Sequence, residues 1–164
     1  MKITWFRILC FINIILIIGI LSSCTIESYT AKKYKANDDI LFYLNSNGYS
    51  ELPDSLGLVY IPIKKGNNEF PCKNDIVAFH YVGYFLNGEV FDSSYDKLRP
   101  LIVHLGENLL IKGLEYSLLK MDKGAKAKVV LPFYLAYDDM QGAPVPPYSN
   151  LVFELELIDI DKNE

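Results

Sequence analysis

Between residues 58 and 160 apolar side chains recur with a period of two in run after run, and with a helical period only once. Val59, Ile61 and Ile63 alternate with Leu58, Tyr60 and Pro62, and residues 76–86 and 101–105 carry similar runs. Lys126 and Lys128 punctuate 125–131, while in 150–160 Leu151, Phe153, Leu155 and Leu157 oppose Glu154 and Glu156. Successive side chains of a strand point to opposite faces, so these runs predict a multi-stranded antiparallel sheet with one apolar face. Lys65-Gly66-Asn67-Asn68 marks a turn, and Asn87-Gly88 marks a hairpin, because both positions tolerate positive φ.

One helix must cover that face. Ile111, Leu114, Leu118 and Met121 fall at offsets of 0, 3, 7 and 10, a single apolar stripe between residues 107 and 121. Glu107 lies near its positive end, Lys120 and Lys123 near its negative end, and Gly124 supplies a stop. The expected fold class is α+β, a curved antiparallel sheet wrapped on one short helix.

The N-terminal end sets the location. Lys2 and Arg7 flank a short basic start, and residues 8–21 are almost unbroken apolar sequence, long enough for a signal-peptide core and short for a bilayer-spanning helix. Leu21-Ser22-Ser23-Cys24 follows. It resembles the lipobox of bacterial lipoproteins, which implies a signal peptide over 1–23 and a diacylated Cys24 as mature N-terminus. An uncleaved N-terminal anchor is the alternative. Either places the domain outside the cytoplasm, tethered to a membrane of the bacterial cell envelope, with the outer membrane the expected one. Each buried acyl methylene contributes about 0.8 kcal/mol, so multiple chains hold a protein on a bilayer nearly permanently.

Residues 1–23 hold two of the 16 basic and none of the 20 acidic residues, leaving 14 against 20, a net charge of −6. That balance disfavours nucleic acid as a partner. Cys10 lies in the leader and Cys24 would carry lipid, so Cys72 has no disulfide partner and reads as an incidental turn residue or a reactive thiol. His80 and His104 lack nearby carboxylates at a chelating spacing, so no metal is expected. Residues 24–56 separate anchor from domain: 25–35 reads as a flexible tether. Residues 38–44 read as a short helix capped by Asn37 or Asp38, packing Ile40, Leu41 and Leu44, either to cover an edge of the domain or as an interaction handle. The domain proper runs over 57–164.

Within it a set of motifs recurs in order: Phe79-His80-Tyr81-Val82-Gly83, Phe91-Asp92-Ser93-Ser94, Leu105-Gly106, Leu110-Ile111-Lys112-Gly113-Leu114-Glu115, Lys123-Gly124, Ala136-Tyr137, Val145-Pro146-Pro147 and Leu151-Val152-Phe153-Glu154. This set resembles the FKBP family of peptidyl-prolyl cis-trans isomerases over roughly residues 57–161. The resemblance implies the FKBP fold and proline-containing polypeptide clients. By it Tyr81, Phe91, Leu101, Leu110, Ile111, Leu114, Tyr137, Val145 and Phe153 line a proline pocket with Leu114 as floor. The Ile111 amide would hold a substrate carbonyl, the Tyr137 hydroxyl would donate a hydrogen bond, and the Asp92 carboxylate would sit at the rim. Periodicity alone makes each apolar member a core residue and Asp92 a turn cap.

Rotation of an X-Pro amide crosses roughly 20 kcal/mol without breaking a bond. The twisted amide loses resonance and dipole, so an apolar cup with a few fixed donors favours it over the planar form. No cofactor is expected. Departures from the family pattern are Leu114 where many members carry tryptophan, Leu101 where they carry phenylalanine, Asp138 where glycine is common, and Lys97 where an arginine often pairs with the aspartate. An aliphatic, wider pocket and a lysine unable to make a bidentate contact imply weak macrolide binding and reduced turnover. The expected function is prolyl isomerisation assisting the folding of exported or envelope proteins. A weakly catalytic peptide-binding chaperone or envelope-complex subunit, and a purely structural lipoprotein, are the alternatives. The layout of lipobox, short spacer and isomerase domain also resembles gliding-motility-associated lipoproteins.

Overall fold

A computed structural model describes residues 27–163; the leader, the lipobox and Cys24 lie outside the described residues. The chain divides into one unit over 1–31 and a second over 32–164. In order the elements are α1 (Tyr29–Ser46), β1 (Val59–Lys64), β2 (Ile76–Phe85), β3 (Val90–Ser93), β4 (Leu101–His104), α2 (Lys112–Leu118), β5 (Lys126–Leu131), a 3-10 turn (Phe133–Leu135) and β6 (Leu151–Asp161). The six strands form one antiparallel sheet in the order β1-β5-β6-β2-β3, with β4 also pairing β2.

The long β2–β6 pair is the spine, running from Ile76 opposite Asp161 to Phe85 opposite Leu151. Its inner face is apolar. Val77, Phe79, Ala127, Val129, Leu131, Leu151, Phe153, Leu155 and Leu157 are buried there with Leu114, Leu118 and Met121 of the α2 segment. Lys126 opposes Glu156 and Lys128 opposes Glu154 in register, and each pair closes an ion pair, at 2.9 and 3.2 Å. The alternation in β5 and β6 is thus satisfied on both faces. Pro62 is accommodated because β1 is an edge strand with an irregularity beside it, where a missing N–H costs little.

Helix α2 is shorter than its apolar stripe suggests. It begins at Lys112 after an extended Ile111 (φ −61°, ψ 144°), so Glu107 lies outside its first turn and Glu115 is the acid there. It ends at Leu118, and Met121 is carried inward by tight turns from Lys120 to Ser117 and Met121 to Leu118. Gly124 does not stop the helix. Its φ of 86° serves the turn into β5, where its N–H donates to Leu157 O at 2.7 Å. The β2–β3 hairpin also departs from expectation: only Gly88 has positive φ, at 87°, following a turn closed by Gly88 N–H to Phe85 O. That is a three-residue hairpin loop with glycine at the left-handed position.

The largest correction lies N-terminal to the sheet. Residues 29–35 are helical, not a loose tether, and α1 is 18 residues long. Ala36, Ile40 and Leu44, four apart, share one helix face and are buried. Ile40 and Leu44 pack with Val59, Ile61, Val130 and Val152 in a second apolar cluster on the outer side of the sheet. Leu41 is turned away from that cluster and is exposed. The sheet therefore buries side chains on both faces, and α1 is part of the fold.

Candidate active site

The site grows from the middle of β2, where Tyr81 faces inward. Ser94, at the end of β3 and buried, clamps that residue. Its hydroxyl accepts the Tyr81 N–H at 2.9 Å, its N–H donates to Tyr81 O at 3.0 Å, and His80 Nδ1 lies 2.9 Å from the same Oγ. The His80 ring stacks on Tyr95 at 4.3 Å. Register to β3 then sets Asp92 opposite Gly83. The Tyr81 hydroxyl donates to Asp92 Oδ2 at 2.6 Å.

Lys97 closes the rim. Turns from Lys97 N–H to Ser94 O and from Leu98 N–H to Tyr95 O fold the segment back. The ammonium then reaches Asp92 Oδ1 at 2.8 Å, Oδ2 at 3.2 Å and the Tyr81 hydroxyl at 3.1 Å. A lysine cannot present a planar fork, yet here one nitrogen contacts both carboxylate oxygens, so the expected loss of a two-oxygen contact does not occur. Partial burial raises the Asp92 carboxyl pKa, but hydrogen bonds from Lys97 and Tyr81 outweigh it and the net direction is down. Burial, then the Asp92 hydrogen bond, raise the Tyr81 phenol. The rim is consequently an ionised, locally neutralised pair at neutral pH.

Behind it lies an aromatic and aliphatic cup. Phe91 meets Phe153 edge to face at 5.7 Å, and Tyr81 lies 6.4 Å from Phe153. Leu114 and Val145 are buried in the same cluster, with Leu110, Ile111 and Tyr137 partly buried against it. Gly83 makes room for the wall: a Cβ there would stand 2.6 Å from Phe91 Cζ and 3.0 Å from Phe153 Cε1. Gly113 does the same for the floor, since its Cβ would meet the Leu131 methyls at 2.6 Å.

Two donors are left over. No acceptor among the described residues takes the Ile111 N–H or the Tyr137 hydroxyl. Burial, then the neighbouring Tyr81 and Asp92, raise the Tyr137 phenol, so it stays a neutral donor facing the same rim. Asp138 keeps the left-handed backbone, φ 52°, that glycine adopts easily and aspartate tolerates.

The structure thus gathers nine of the ten expected pocket residues. Leu101 stands apart: it is exposed, outside the apolar cluster, and borders a neighbouring cleft with Tyr81, Lys97, Arg99 and Ile102. Ser94 and Gly83 stand in the sequence motifs without a role, because each acts on a partner 13 or 8 positions away in the chain through strand register. Among the described residues no cluster of three His, Cys, Asp or Glu side chains is placed to hold a metal.

Comparison with known proteins agrees with the fold. Residues 67–158, more than half of the chain, match the family model described as FKBP-type peptidyl-prolyl cis-trans isomerase. The FkpA isomerase of Escherichia coli K12 is 39% identical over 106 residues, 65% of this chain and 38% of that protein. An FK506-binding protein of Neisseria meningitidis is 33% identical over 105 residues, 63% of this chain and 96% of that protein. The crystal structure of E. coli FkpA superposes with a TM-score of 0.67 at 31% identity, covering 80% of this chain and 63% of that one. A peptidyl-prolyl cis-trans isomerase structure from Pseudomonas syringae gives 0.66 at 29% identity, covering 82% and 97%. The chain belongs to the FKBP-type peptidyl-prolyl cis-trans isomerase family. It spans about two fifths of the length of the FkpA proteins it matches.

Proposed function

We propose that this protein catalyses cis-trans isomerisation of X-Pro bonds in polypeptides folding in the bacterial cell envelope, held there by lipid on Cys24. The observation that carries the catalytic reading is the pairing of an apolar cup with two donors that no acceptor among the described residues takes, Ile111 N–H and Tyr137 O–H, beside an Asp92 carboxylate paired to Lys97. Proline enters against Phe91, Phe153, Val145 and the Leu114 floor. The Ile111 amide and the Tyr137 hydroxyl hold carbonyls flanking the rotating bond, and Asp92 fixes the rim. As the amide twists it loses dipole, which an apolar cup tolerates better than the planar form. Leu114 offers no ring for stacking, so macrolides bind weakly.

The anchored form rests on the sequence of residues 1–24: a leader over 1–23, a modified Cys24, and the isomerase domain over 57–164. Its layout resembles that of gliding-motility-associated lipoproteins, and the outer membrane is the proposed site. Proline-limited isomerisation of a peptide with a large apolar residue before proline, measured with the detergent-solubilised full chain, tests the activity. Equal rates with and without folded protein exclude it. Cys24→Ser should move the protein out of the membrane fraction or leave it unprocessed. Processed mutant that stays on the membrane removes the lipid anchor.

A peptide-holding role is favoured by one separate feature. Tyr34, Phe42 and Leu52 are 70%, 74% and 75% exposed. Holding without isomerisation would show as suppressed aggregation of an unfolded client that survives Asp92→Leu.

A further inference from the structure

Beside the rim lies a cleft of about 330 Å³ lined by Tyr81, Lys97, Arg99, Pro100, Leu101 and Ile102. It shares Tyr81 and Lys97 with the rim of the proline pocket, and so adjoins it. Lys97 is committed to Asp92 and Tyr81. Arg99 is exposed and has no ion-pair or hydrogen-bond partner among the described residues. Its direction is restricted on both sides. Leu98 before it sits in the left-handed region at φ 55°, and Pro100 after it limits Arg99 to extended conformations.

The cleft also has apolar walls and an open edge. Leu101 and Ile102 are 36% and 65% exposed. Among the described residues their strand, β4, pairs with β2 alone, leaving the backbone groups of its other edge available to an extended chain. A cation with no partner, apolar surface and a free strand edge suit an extended peptide with an acidic side chain.

Resting on the isomerase reading above, we propose that this cleft is a second client subsite, in which Arg99 selects an acidic side chain within a few residues of the proline. On a mature chain of net charge −6, such a cation sets a local preference opposite to that of the surface as a whole. Exposed charge pairs are weak and screened, so the effect is graded rather than absolute.

The test uses detergent-solubilised full chain and peptides sharing one X-Pro unit, with Glu, Gln or Lys placed in turn at the two positions on each side. Both kcat/KM and peptide Kd are read. At one of these positions Glu should exceed Lys by about three- to tenfold at low ionic strength, with Gln between them and the ratio shrinking in salt. Arg99→Gln should abolish the ratio, Arg99→Lys should restore most of it, and Arg99→Glu should invert it. Indifference to charge at all four positions overturns the subsite, as does a preference that survives Arg99→Gln. If the wild type neither turns over nor binds the Gln peptides, the isomerase reading falls with it; if those peptides are processed without charge preference, the subsite alone falls.

Discussion

Lys97 Nζ lies within hydrogen-bonding distance of both Asp92 carboxylate oxygens, at 2.8 and 3.2 Å. The same ammonium touches the Tyr81 hydroxyl, which itself donates to Asp92. One flexible cation therefore ties together two side chains that β2 and β3 bring side by side, and it does so from a position 55% exposed to solvent.

Removing that cation should change charge behaviour more than stability. In Lys97→Met the burial that raises the Asp92 pKa loses its largest opponent, so the acid limb of the pH-rate profile should move to higher pH. Lys97→Arg should leave it near the wild-type position. Because the pair is exposed, the folding cost should be no more than about 1 kcal/mol. A pH profile of kcat/KM, compared with urea unfolding of the same variants, checks both statements.

Gly83→Ala places a methyl 2.6 Å from Phe91 Cζ and 3.0 Å from Phe153 Cε1. Phe153 is fully buried and Phe91 is packed edge to face against it, so the wall must shift. Overpacking of this kind costs about 1 to 3 kcal/mol. Peptide affinity should fall as well, because the displaced Phe91 ring encroaches on the cup. Denaturant midpoints and peptide Kd read the two effects separately.

Tyr137→Phe keeps the ring and deletes a hydroxyl that no residue of the described chain engages. Stability should therefore change little. The loss should appear in kcat/KM, at about 0.5 to 1.5 kcal/mol, the net worth of one hydrogen bond. Asp92→Leu should lower kcat more than it weakens peptide binding, if the rim acts on the twisted amide. Equal losses in both would mark the pocket as a recognition site.

Two carboxylates outside the site make the fold sensitive to acid. The Cys72 N–H, followed by Lys162, outweighs burial in lowering Asp75. Asp122 accepts the Asn68 N–H at 2.8 Å and the Gly66 N–H at 3.0 Å, and is lowered in the same way. With the folded pKa below the unfolded value of about 3.9, their contribution is complete above that value and is lost as pH falls through the folded pKa. Thermal midpoints should therefore decline below about pH 4. In Asp122→Asn that decline should be shallower, since one depressed group is gone.

The inner sheet and its helix were legible because their pattern is local. Glu154 and Glu156 alternate with buried Phe153 and Leu155, and Lys126 and Lys128 answer them across the strand pair. Periodicity alone assigns Phe153 and Leu114 to the core, where the structure places them, and only the joint motif brings them together with Tyr81, Phe91 and Asp92 as one candidate pocket. Helix α1 was harder to read. Its buried stripe is only Ala36, Ile40 and Leu44, while Tyr34 and Phe42, larger and apolar, point to solvent. The three-way contact of Lys97 depends on a turn from Ser94 that folds the chain back, and residue spacing carries no record of that direction.

The outer helix supplies the last prediction. Ile40 is fully buried between α1 and the sheet, packed with Val59, Ile61, Val130 and Val152. Because α1 packs on the sheet, Ile40→Ala leaves a cavity there and should cost about 2 to 5 kcal/mol. Phe42→Ser, on the same helix at 74% exposure, should stay within about 0.5 kcal/mol of the wild type. Denaturant unfolding of the two variants, followed by a probe of the sheet, distinguishes a packed helix from a passive spacer. A spacer would leave Ile40→Ala as stable as Phe42→Ser, and the second apolar cluster would then contribute nothing to the fold.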